Sequence, residues 1–108
     1  MSDSPQSREH YRLRYPLQAR PRLSLIGSDF TVTEISEQGC RVLGSVQQSF
    51  LFSDSPSVTF SFHKGTVVKS VATLIRVTED EVILKLFPAI PLNVIIAEQH
   101  WVIQKFPR

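Results

Sequence analysis

The sequence has very few metal-binding and redox-active side chains. It contains one cysteine, Cys40, so no internal disulfide can form. Its three histidines, His10, His63 and His100, have none of the spacings that zinc ligands require. Cys40 follows Gly39 on a predicted strand, where we expect a buried and unreactive thiol. We therefore predict no metal and no cofactor.

Long apolar runs are also missing. Runs such as Val94–Ala97 fall far short of the roughly 18 residues that a membrane-spanning helix needs. The polar N-terminal residues lack the apolar core of a secretion signal. We expect no membrane span, and a cytoplasmic location.

Catalytic signatures are absent as well. The sequence has no phosphate-binding loop motif and no recognisable pairing of a nucleophile with a base. The acidic run Glu79, Asp80 and Glu81 is expected to be a solvated turn, because consecutive acids in turns seldom form a catalytic pair. We predict that the protein is not an enzyme.

The pattern that is present indicates β-strands in one domain. The 108 residues are 42% hydrophobic and 20% charged, which is typical of a globular domain. Apolar and polar residues alternate, as they do in half-buried strands. The predicted strands contain Leu23 and Leu25; Phe30 and Val32; Cys40–Leu43; Val58, Phe60 and Phe62; and, as a long hairpin, Thr66–Thr78 with Val82–Phe87.

The spacing of apolar residues changes near the C-terminus. From Leu92 to Phe106 they recur at helical intervals, and Pro91 suits the first turn of a helix. The spacing predicts a helix over about 91–105 that caps the strands. Several short strands followed by one helix favour a small antiparallel barrel. The predicted class is therefore all-β with one C-terminal helix.

The basic residues are unevenly distributed. Although the net charge is only +2, five of the twelve basic residues lie close together, which favours a phosphate or carboxylate partner. We expect residues 1–20 to form a flexible arginine-rich arm and residues 21–108 to form the barrel domain. The five clustered residues are Arg8, Arg12, Arg14, Arg20 and Arg22.

Two short motifs carry the candidate chemistry. Arg8 and Arg12 have the spacing R-x-x-x-R, so two guanidinium groups can approach one anion. Further along, Glu34, Ser36 and Gly39 place an acceptor, a hydroxyl and a small residue at a strand end. The first motif alone is typical of a solvated basic tail, and the second of a plain turn.

Taken together, the two motifs resemble those of the PilZ family, R-x-x-x-R followed by D/N-x-S-x-x-G. The resemblance implies a six-stranded antiparallel split β-barrel that binds cyclic di-GMP, a bacterial second messenger. It implies that Arg8 and Arg12 contact phosphate and guanine, that Glu34 accepts from guanine N–H groups, and that Ser36 and Gly39 complete the site. Glu34 stands where the family usually has Asp or Asn.

Three functions fit the sequence to different degrees. The first is a cyclic di-GMP sensor whose arm becomes ordered on binding and which signals to a protein partner. The second is a PilZ-like adaptor that binds proteins but not the nucleotide. Two departures from the family favour it: Glu34 replaces the usual Asp or Asn, and Ser7 stands where many members carry another arginine. The third, a single-stranded nucleic-acid binder, has only Tyr11 and Tyr15 interleaved with the arginines. We therefore expect no specific DNA or RNA partner.

Overall fold

The structure, a computed structural model, describes residues 12–107. The predictions for Arg8 and for the rest of residues 1–11 lie outside these described residues. The described chain forms seven strands, two α-helices and three short 3-10 turns. The strands are β1 Arg12–Arg14, β2 Arg22–Leu25, β3 Ser28–Ser36, β4 Gly39–Leu43, β5 Ser57–Ser61, β6 Val67–Val77 and β7 Glu81–Phe87, and the helices are α1 Val46–Ser49 and α2 Leu92–Lys105.

The strands close into a six-stranded antiparallel barrel. The order around it is β3, β2, β5, β6, β7 and β4, and β4 pairs back with β3. Strand β1 pairs with the last three residues of β3, whereas β2 pairs with the first four, so β1 and β2 follow one another along one edge of β3. The predicted six-stranded barrel with one C-terminal helix is confirmed.

The barrel core follows from the alternation in the sequence. Phe60, Leu23, Ile35 and Leu84 come from four different strands and are fully buried. Removing each such side chain from water stabilises the fold by about 1.5–3 kcal/mol. Helix α2 adds Ile95 to the same core, as its helical spacing predicts.

Two features of the elements between the strands differ from the predictions. The short helix α1 was not predicted, although Ser45 and Gln48 form a capping box whose sequence pattern is recognisable. Phe50–Phe52, for which no element was predicted, is a 3-10 turn that buries Phe52. No helix within residues 12–107 is long and apolar enough to cross a membrane.

The predicted arm overlaps the barrel in the described chain. Arg12–Arg14 form β1, and Leu17–Ala19 form a 3-10 turn with Ala19 in the core. Residues 12–20 are therefore in contact with the barrel. The division into an arm over 1–20 and a barrel over 21–108 stays a prediction, because residues 1–11 are not described.

Helix α2 is tied to the start of the barrel by a buried carboxylate. Glu98 accepts hydrogen bonds from the Tyr15 hydroxyl and from the backbone N–H of His63, the second at 3.0 Å. The Nδ1 atom of His63 lies 2.9 Å from the same carboxylate, and its ring stacks on Trp101 with centroids 3.5 Å apart. We call Tyr15, His63, Glu98 and Trp101 the Glu98 cluster.

Burial, and then the hydrogen bond to Glu98, raise the pKa of Tyr15 well above its ordinary value of 10.0. Above pH 10 the unfolded chain releases this proton and the folded chain keeps it, so the folded state should lose stability as pH rises. We expect Tyr15→Phe to lessen this loss by about 1.4 kcal/mol per pH unit.

Urea unfolding between pH 9 and pH 11 would measure this effect. Burial also raises the pKa of Cys40, so wild type must be compared with Tyr15→Phe rather than analysed alone. Parallel stability curves for the two proteins would show that Tyr15 does not carry the pH dependence.

Candidate ligand-binding site

The pairing of β1 with β3 brings the two sequence motifs together. Arg12 lies opposite Ser36, and Arg14 lies opposite Glu34. The residues between them, Leu13 and Ile35, are buried in the core. Since side chains alternate along a strand, the two arginines, the carboxylate and the hydroxyl all face outward. The candidate site is therefore on the outer surface of the barrel.

A cavity of about 320 Å³ lies at this place, at the lower end of the range for small-molecule sites. Three cationic side chains and one carboxylate line it, so its charge suits an anionic ligand. Ile75 and Ile83 supply an apolar wall against which a flat ring can pack. The lining residues are Arg12, Glu34, Ser36, Gln38, Gly39, Cys40, Arg41, Ile75, Ile83, Leu84 and Lys85.

Ser36 and Gly39 shape the turn that borders this cavity. The Ser36 hydroxyl oxygen accepts a hydrogen bond of 3.2 Å from the Gly39 N–H, which closes the turn between β3 and β4. A Cβ atom on Gly39 would lie 2.1 Å from the carbonyl oxygen of Leu84 on β7. The glycine is thus required because β4 and β7 approach closely at this point.

Glu34 and Arg41, which line the cavity, belong to a network of four charged side chains. The Glu34 carboxylate lies 3.7 Å from Arg14 and 3.7 Å from Arg41, on the strands at either side of it. The same arginines reach Glu81, at 3.2 Å and 3.5 Å respectively. The side chain of Glu34 is one methylene longer than that of Asp, and this length carries its carboxylate toward both guanidinium groups. We call Arg14, Glu34, Arg41 and Glu81 the charge network.

The prediction of a solvated acidic turn is wrong for Glu81. It is the first residue of β7 and is buried, whereas Glu79 and Asp80 are exposed. Burial alone would raise the pKa of Glu81, but the 2.5 Å hydrogen bond from Thr33 and the charges of Arg14 and Arg41 outweigh it and lower the pKa. The carboxylate is therefore held ionised, where it can fix both arginines in place.

The predicted site residues within the described chain share one cavity. Arg12, Glu34, Ser36 and Gly39 all line it, and Arg8 lies outside the described residues. The sequence reasoning missed Arg41 and Lys85 as cationic lining residues. Arg41 could have been found, because it follows Gly39 by two residues and so faces outward on β4, but Lys85 is brought in from distant β7.

No protein-family model and no curated protein matches the sequence significantly. Two solved structures are similar over 88% of the chain. One is the uncharacterized Legionella protein Lpg0364, with a TM-score of 0.57, 16% identity and 98% of that protein covered. The other is PlzA of Borreliella burgdorferi in complex with c-di-GMP, with a TM-score of 0.53 and 13% identity. The likeness is one of fold.

The chain spans 40% of the length of PlzA, and nearly all of Lpg0364. At 16% and 13% identity the two likenesses bear on the fold alone. Within residues 12–107, no group of three or more histidine, cysteine or acidic side chains could hold a metal ion.

Proposed function

We propose that the protein is a non-enzymatic, PilZ-type sensor domain that binds cyclic di-GMP on the outer face of its barrel. The observation that carries the proposal is that two separate segments of the sequence, one with Arg12 and one with Glu34, Ser36 and Gly39, border one cavity. The PlzA structure, which has a similar fold, contains c-di-GMP. The residues of the resemblance and the ligand of a structural neighbour thus point to the same compound.

The chemistry of the cavity suits this ligand. Cyclic di-GMP carries two phosphates, and each guanine offers O6 and N7 as a pair of acceptors. Arginine can donate two parallel hydrogen bonds to either group, so Arg12 fits both phosphate and guanine. Lys85 adds a second charge for the phosphates, and Ile75 offers an apolar surface for a base. Arg8 makes the remaining phosphate and guanine contacts in this proposal.

Glu34 is the acceptor for guanine N–H groups in this proposal. Its ion pairs with Arg14 and Arg41 are both 3.7 Å long, beyond the usual length of a direct hydrogen bond. A carboxylate has about four acceptor positions. Guanine can therefore bind Glu34 while the two arginines hold the carboxylate in place.

Replacing Arg12 with alanine is expected to weaken cyclic di-GMP binding by about 10- to 100-fold. The estimate corresponds to the loss of one charge-assisted contact of roughly 1.5–3 kcal/mol. Isothermal titration calorimetry of both proteins would measure it. Arg76→Ala is the matched control, because Arg76 is exposed on β6 and does not line the cavity. Its affinity should stay within about twofold of wild type.

Equal affinity of Arg12→Ala and wild type would remove Arg12 from the site.

A second function has one specific observation in its favour: the Glu34 carboxylate already lies between two arginines. If these pairs exclude guanine, the chain is a PilZ-like adaptor that binds proteins without the nucleotide. That function predicts no saturable heat when wild type is titrated with cyclic di-GMP.

The sensor proposal includes an output step. The ligand would order the N-terminal arm against the barrel, and the altered surface would be recognised by a protein partner in the bacterial cytoplasm. Support comes from the position of Arg12, which begins β1 three residues before Tyr15 of the Glu98 cluster. The arm is thus close in the chain to the contact that holds α2.

A further inference from the structure

A second cavity lies at the opposite end of β3. It has a volume of about 430 Å³, and Arg20, Arg22, Asp29, Thr31, Ser61 and His63 are among its lining residues. None of these lines the first cavity. Thr31 and Ser36 are five positions apart on β3, so the two cavities are separated by roughly 17 Å along the strand. They can be occupied independently.

Arg20, which is half-buried as a whole, carries one buried donor without a partner in this cavity. Its Nε atom is buried and has no hydrogen-bond acceptor within the described residues 12–107. A buried charged donor without an acceptor is costly, and native proteins rarely leave one. The 3-10 turn that ends at Ala19, with Ala19 in the core, fixes the backbone immediately before Arg20.

The nearby charges do not neutralise Arg20. Asp29 lies 3.9 Å from Arg22, in an exposed pair that contributes little to stability. Glu98 is not among the lining residues, and its carboxylate is occupied by His63 and Tyr15. Arg20 therefore leaves an excess positive charge in a cavity that also carries the hydroxyl-bearing residues Thr31 and Ser61.

We propose that this cavity binds an oxyanion of the phosphate type, through the guanidinium of Arg20. Guanidinium matches phosphate geometry because its N–H groups donate in parallel to two oxygens. An oxyanion there would be contacted by the guanidinium group of Arg20 and, from a second side, by Arg22. The site is separate from the cyclic di-GMP site and does not depend on it.

The test is a titration of the ¹⁵N-labelled full chain with sodium phosphate, followed by NMR. A buried Arg20 Nε–H is expected to give a resolved signal, because burial slows exchange with water. Phosphate should shift this signal and the amides of Arg22, Thr31 and His63 saturably, with a dissociation constant in the millimolar range. Sodium chloride at matched ionic strength should not reproduce the saturable shifts.

Two variants and a second probe complete the experiment. Arg20→Met keeps an apolar stem without the charge and should weaken phosphate binding at least about tenfold, whereas Arg76→Met should not. If Arg20→Met does not fold, Arg20→Lys serves, because it keeps the charge and loses the paired donors. Phenyl phosphate is the second probe, since it carries the phosphoryl group on a larger molecule.

The outcomes separate the possibilities. Shifts with both probes support a site for a phosphoryl group from either source, and shifts with inorganic phosphate alone assign it to the free ion. Shifts with phenyl phosphate alone assign it to a phosphoryl group on a larger molecule. No saturable shift in wild type with either probe, or unchanged binding in the Arg20 variant that folds, would overturn the proposal.

Discussion

Replacing Glu98 with alanine is expected to lower the free energy of unfolding by about 3–5 kcal/mol, the largest loss of any single change proposed for this chain. Glu98 is buried and accepts from the Tyr15 hydroxyl and the His63 backbone N–H. Alanine would leave both donors without this acceptor. The free-energy cost of removing each donor from water would then no longer be offset by a hydrogen bond. The chain around Tyr15 and helix α2 would lose their common contact.

Urea unfolding at pH 7 measures the Glu98 effect as a shift of the midpoint at constant slope. Gln104→Ala is the control, because Gln104 is on the same helix and exposed, and it should change stability by less than about 0.5 kcal/mol. Glu98→Gln should be intermediate, since an amide keeps one acceptor but brings its own donors. Equal midpoints for Glu98→Ala and Gln104→Ala would show that the cluster does not hold α2.

Much of the fold could be predicted because periodicity is a local signal. The alternation of Val58, Phe60 and Phe62 predicted the strand β5, and the helical spacing after Pro91 predicted α2. Closure of the barrel needs pairings between distant strands, such as β3 with β4 and β4 with β7, which no local pattern specifies. That part of the prediction depended on the PilZ resemblance.

The site could be predicted only in part, for the same reason. The residues of the two motifs were identifiable, but their meeting depends on the register that sets Arg12 opposite Ser36. The burial of Glu81 could not be predicted because it comes from β3 and β4, whose Thr33 and Arg41 contact it from 48 and 40 residues earlier in the sequence. Lys85 joins the cavity in the same way, through the pairing of β7 with β4.

Replacing Gly39 with alanine is expected to lower the free energy of unfolding by about 3 kcal/mol, the upper end of the usual cost of overpacking. The added Cβ would lie 2.1 Å from the Leu84 carbonyl oxygen. This oxygen belongs to the backbone of β7, which is paired with β4 on one side and β6 on the other. It cannot move without breaking pairings on both sides, so the clash is not relieved locally.

Gly44→Ala is the matched control, because the Cβ there would meet a methyl group of Val82 at 3.1 Å rather than backbone. A side chain can shift by a few tenths of an ångström, and the loss should be about 1 kcal/mol or less. Urea midpoints of the two variants test the difference. A large loss at Gly39 alone would assign the motif's glycine to the packing of β4 on β7, which holds the Ser36 turn beside the cavity. Equal stability of the two variants would instead leave close approach of a ligand as the reason for glycine at this position.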